Sequence, residues 1–173
     1  KPQALVYAIR PTCLESDPDK AALSLLDGYL NRKLYALRES TGLFYSAHAT
    51  RDDGSSTQVG HIALTAVVIP GNAAVVKDRL RDVINELFQL EPTEELLKDL
   101  RGEALQGYGV YLNTPQSVAV TVGTNILLGR SIDERRESCQ KQQAVTVEQL
   151  RAAIKRYFDP ATWSFVRAGN FQQ

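Results

Sequence analysis

Two histidines, His48 and His61, mark the first place to look for chemistry. They flank the turn-forming run DDGSST (Asp52–Thr57), so a symmetric hairpin would set them opposite each other across a ladder. Two imidazoles placed that way could share a metal, but zinc takes three or four protein ligands and no third is evident. The helical spacings His-x-x-Glu-His and His-Glu-x-x-His put two imidazoles and a catalytic carboxylate on one face, and neither occurs in the sequence. The segment cannot build a metallopeptidase centre by itself. Ser46 and His48 share one face of a strand, as a nucleophile and its base would, yet no Gly-x-Ser-x-Gly elbow or orienting acid accompanies them. Cys13 and Cys139 lie far apart, neither beside a histidine, and read as interior or free thiols. The run GYGVY (Gly107–Tyr111) follows a helical stretch and lacks the Lys-Ser/Thr of a phosphate loop. No catalytic and no metal-binding residue is assigned.

Arg38 and Tyr45 remain, seven positions apart with Gly42 between them, in the run LRESTGLFYSAHA (Leu37–Ala49). A guanidinium offers a fork of donors to a peptide carbonyl or carboxylate. A tyrosine adds a phenol and an apolar ring on a rigid strand. Held on the two sides of a turn, the pair is a candidate clamp for an extended peptide backbone. The bland alternative is an arginine that satisfies the last carbonyls of its helix.

The elements that must position this pair are readable. ALVYAIRP (Ala4–Pro11) has the composition of a strand. Asp17 as N-cap and Pro18 at the first helical position open a helix running to about Glu39, with Ala22, Leu25, Leu26, Tyr29, Leu30, Leu34 and Leu37 as its apolar stripe. Gly42 ends that helix by taking positive φ. Leu43–Arg51 and Gln58–Pro70 read as two strands of an antiparallel hairpin. Helices follow: one striped by Val76, Leu80, Val83, Ile84 and Leu87; one capped by Thr93; one capped by Thr114 with Pro115 inside; and a short charged one from about Asp133. Thr146 and Gln149 form a capping box for the next, which Pro160 ends, and Thr162–Gly169 returns as a strand. The order predicts an α+β fold, an antiparallel or mixed sheet with helices on one face, in a single domain over residues 1–173.

Bulk properties narrow the function classes. The 20 Lys+Arg balance 20 Asp+Glu, so no global field favours nucleic acid or an anionic membrane. The longest apolar stretch, His61–Gly71, is too short to span a bilayer. Compartment is left open between cytoplasm and a periplasmic or organellar space. The chain opens on Lys1 and holds no methionine, which suggests a piece of a longer multidomain protein from whose written sequence methionines have dropped out.

The Leu37–Ala49 run resembles the Leu-Arg-Glu…Gly-Leu-x-Tyr-Ser segment of the insulinase/pitrilysin family of zinc metallopeptidases, which includes the mitochondrial processing peptidases and the bc1 core proteins. QALVYAIRPTCLESDPDKAALSLLDGYL is similar to the family's opening strand and long helix, and VTVEQLRAAIKRYFDPATWSFVRAGNF to its closing helix and strand. The chain departs from the family where LDGYLNRK replaces a Gly-Gly-Gly-x-Ser-Ser stretch. It departs again where LYALR has one residue, Ala36, between aromatic and Leu-Arg instead of two. The resemblance implies a half-domain of the processing-peptidase type and, since the zinc motif is missing, a non-catalytic C-terminal partner domain. It implies that Arg38 and Tyr45 contact the substrate backbone in a closed chamber. Zinc, general base and water would sit in a catalytic domain of the same protein or of a partner subunit, and the substrate would be a peptide or unfolded polypeptide. An exposed strand edge could also hold the peptide. The alternative is a structural or assembly subunit that has lost catalysis. In either case the fragment alone is expected to be inactive.

Overall fold

The computed structural model describes residues 2–13, 16–54 and 58–171. The chain runs β1 (Ala4–Pro11), α1 (Lys20–Thr41), β2 (Phe44–Asp52), β3 (His61–Val68), α2 (Ala73–Gln89), α3 (Glu94–Leu112), α4 (Pro115–Leu127), α5 (Glu134–Ala144), α6 (Val147–Tyr157) and β4 (Ser164–Gly169). One-turn 3-10 helices at Pro70–Asn72 and Pro160–Thr162 lead into α2 and β4. The four strands form one sheet in the order β2-β3-β1-β4, every pair antiparallel. This is the α+β architecture expected, with the antiparallel alternative realised.

Alternation along the strands decides which face is covered. Val6 and Ala8 on β1 and Ile62, Leu64, Ala66 and Val68 on β3 are fully buried beneath the helices. Their opposite-facing neighbours Leu5 and Val166 are 37% and 53% exposed. Helix α1 lies on the buried face with Leu23, Leu26, Leu30 and Leu34 sealed. The predicted α2 stripe is buried at every position. At the far end Phe158 is enclosed, with its ring 5.8 Å from that of Trp163.

Three local expectations need correction. Helix α1 begins at Lys20 with Asp19 in the cap position, not at Pro18 with Asp17, because the Asp19 N–H donates to Asp17 Oδ1 at 2.9 Å and folds those residues into a turn ahead of the helix. Thr114 flanks α4 but makes no side-chain cap; its hydroxyl turns back to donate to Val110 O at 3.1 Å. His48 and His61 are not opposite each other, since His48 pairs with Thr65 and His61 with Asp52. The connection is longer than a symmetric turn because Gly60 has no partner in the β2 ladder and instead bonds to the stretch that follows β1. Its N–H donates to Cys13 O at 2.9 Å and its carbonyl accepts from Thr12 N at 2.8 Å. A Cβ at Gly60 would lie 2.2 Å from Asp52 O, so only glycine fits there. Of the DDGSST turn, Ser55–Thr57 lie outside the described residues.

Candidate functional site

Helix α1 and the edge strand β2 place the Arg38–Tyr45 pair. Gly42 takes φ 63°, a left-handed conformation, and its N–H donates to Arg38 O at 3.0 Å, so the helix closes and the chain reverses into β2. Phe44 then pairs with Val68 and Ser46 with Val67, which leaves Tyr45 as the extra residue of a β-bulge. The bulge interrupts alternation: Phe44 is buried, while Tyr45 and Ser46 are both exposed in succession. Arg38 donates from Nε to the Tyr45 carbonyl at 3.2 Å and from Nη1 to Glu39 Oε1 at 3.1 Å. The Arg38 side chain keeps 41% of its exposure and Tyr45 44%. The structure therefore brings the two residues together on one solvent-facing rim, and no buried ion pair consumes the guanidinium.

Arg38 is the last of a row of polar groups by which α1 grips the edge of β2. Asn31 takes both backbone groups of Ala49: its Oδ1 accepts the Ala49 N–H at 2.9 Å and its Nδ2 donates to Ala49 O at 3.2 Å. One turn earlier, Arg51 reaches back to donate to Asp27 Oδ2 at 2.8 Å and to Ser24 Oγ at 2.7 Å, and it also pairs with Asp53. Residues 24, 27, 31 and 38 recur at steps of three, four and seven, which puts them on one side of α1. The sequence reading took only the apolar stripe of this helix and missed Asn31 and the Arg51 cluster. Their signal was this second, polar periodicity. The same row alters the expectation of an open strand edge, because at Ala49 and Tyr45 the edge of β2 already has partners.

Asp27 pays only in part for its enclosure. Burial pushes its carboxyl above the ordinary aspartate value, and Arg51 opposes that shift. Asp27, Arg51, Asp53, Glu103 and Arg135 line a cavity of about 310 Å³ between α1, α3 and α5. A larger cavity of about 770 Å³ opens between the start of α1 and α5. Neither is lined by Arg38 or Tyr45, which stand on open surface. Among the described residues no group of three or more His, Cys, Asp or Glu side chains is placed to hold a metal ion. Among the same residues no helix is long and apolar enough to cross a membrane.

Comparison with known proteins places this arrangement. The inactive peptidase domain of a protein assigned as a zinc protease in Bordetella parapertussis superposes with a TM-score of 0.78 at 18% identity, over 97% of this chain and 93% of that one. The peptidase M16 inactive domain from Pseudomonas fluorescens gives 0.75 at 20%, over 96% of this chain and 41% of that one. The periplasmic protease PqqL from Escherichia coli gives 0.71 at 18%, over 96% and 19%. The chain thus spans less than half of the latter two proteins, and identities at this level establish the shared fold alone. No curated protein matches by sequence. The model of the family described as the Peptidase M16 inactive domain matches residues 1–103, which hold the whole α1–β2 rim. With that match the resemblance seen in Leu37–Ala49 becomes an assignment: the chain belongs to the inactive-domain family of the M16 zinc peptidases.

Proposed function

We propose that this domain binds substrate for an M16 zinc peptidase whose metal and general base lie in another domain of the same protein or in a partner subunit. Arg38 and Tyr45 are its contacts to the peptide backbone. The observation that carries the reading is the bulge: Tyr45 is lifted out of the ladder beside a guanidinium that remains well exposed. Arg38 would donate to a peptide carbonyl, and the Tyr45 phenol would donate to a second oxygen of the same chain. Because the pair stands on open surface, a closed site requires a second wall, which a catalytic domain would supply.

The test is peptide hydrolysis. The isolated chain should show none with or without added zinc; zinc-dependent cleavage by the pure chain refutes the proposal. In the longer peptidase, Arg38→Ala and Tyr45→Phe should each lower kcat/KM by roughly 10-fold or more, the loss of one hydrogen bond to a reacting backbone. The alternative, an assembly subunit without catalysis, draws on the exposure of Arg38 and Tyr45 and their distance from the two cavities described above. It is favoured if neither substitution changes peptide turnover.

A further inference from the structure

Helix α4 carries an uncharged surface with several exposed apolar side chains. From Asn113 to Gly129 the chain carries no charged residue, although 23% of the whole sequence is charged. Helix α4 rests on α3, towards which it turns Val118, Val122 and the buried Asn125, spaced at four and three residues. The opposite side carries Gln116, Val120, Gly123 and Leu127 at the same steps. Val120 is 62% exposed and Leu127 87%. Ile126 and Leu128 flank this seam at 61% and 58%, and Leu112 and Ile132 at its two ends are 52% and 61% exposed.

We propose that α4 is the seat of a two-fold contact between two copies of this chain. The seam complements itself. Laid antiparallel about an axis near Gly123 and Thr124, each Val120 meets Leu127 of the second copy, and the reciprocal contact follows from the symmetry. Gly123 has no heavy atom within 4 Å of where a Cβ would stand, so the crossing point is free for close approach. No charge on α4 opposes pairing with its own image. The six large apolar side chains offer roughly 100 Å² apiece. Each copy would contribute about 600 Å², the upper end of what a lone monomer leaves bare, and two copies about 1,200 Å², the lower bound for a specific interface.

Sedimentation or light scattering on the chain at about 100 μM, a concentration that populates even a weak dimer, should give about twice the 19.2 kDa monomer mass. Leu127→Asp should return it to monomer with unchanged circular dichroism, because that side chain has almost no intramolecular packing to lose. Thr124→Cys should be joined into a covalent dimer by a short bis-maleimide. Lys98→Cys, exposed on α3, should not be joined, and the native Cys13 and Cys139 are buried and should not react. A monomer at that concentration overturns the proposal and leaves the face to a different partner. A dimer that survives Leu127→Asp, or in which Thr124→Cys fails to cross-link, overturns the assignment to α4.

Discussion

Asp27 Oδ2 accepts from Arg51 Nε at 2.8 Å, while its Oδ1 is enclosed with no hydrogen-bond donor among the described residues. Its raised pKa, set first by burial, means that the folded chain holds a proton at pH values where the unfolded chain has released it. The contribution of Asp27 to stability is therefore greatest below the unfolded value near 3.8 and falls as pH rises through the folded one. Arg51 faces the same cavity and is the charge that opposes the shift, while Asp53 and Glu103 also line that cavity. Asp27→Asn removes this dependence. Urea unfolding at a series of pH values should show the wild-type advantage over Asp27→Asn widening as pH drops from 7 towards 4. At this scale the placement of Arg38 and Tyr45 on the two sides of the Gly42 reversal was legible, because their spacing and the intervening glycine are local facts. The bulge under Tyr45 was not, because it depends on how β2 meets β3, a pairing settled by distant residues. Asn31 was missed for a related reason: on a helix it reads as surface until the strand edge it serves is known.

Among the elements, caps give a sharp contrast. Thr146 accepts from Gln149 N at 3.2 Å while the Gln149 side chain accepts from Thr146 N at 2.8 Å, so the capping box read from the sequence is fully made. Thr146→Ala should cost about 1 kcal/mol. Thr114 sits at the start of α4 with no such bond, and Thr114→Ala should cost at most a few tenths of a kcal/mol, seen side by side in urea melts. Gly42→Ala should cost about 1 kcal/mol, since the space is open but φ stays positive. Helix bodies and strand β1 were legible because periodicity is written within a dozen residues. The starts of α1 and β3 were not, because the Asp17 turn and the Gly60 contacts to Thr12 and Cys13 take those residues out of the element their composition suggested.

At the scale of the molecule, strands on one side and helices on the other followed from the order of elements. The sheet order β2-β3-β1-β4 did not, because choice of neighbour is a long-range property. One core unites the sheet with α1, α2, α3 and α6. Phe158, at 0% exposure against Trp163, fastens its far end. Phe158→Ala should lower stability by about 3–5 kcal/mol, read as a large drop in the urea midpoint.

The polar row of α1 has one more consequence. A bare outer strand is a template onto which further chains can add without limit. Asn31 and Arg38 occupy backbone groups of β2 that such growth would need, and the bulge at Tyr45 spoils the flat geometry of what is left. Asn31→Ala combined with Arg38→Ala should turn a clear concentrated solution into one that accumulates thioflavin-positive fibres, so Arg38, proposed to hold a ligand, would with Asn31 also guard the sheet against runaway polymerisation.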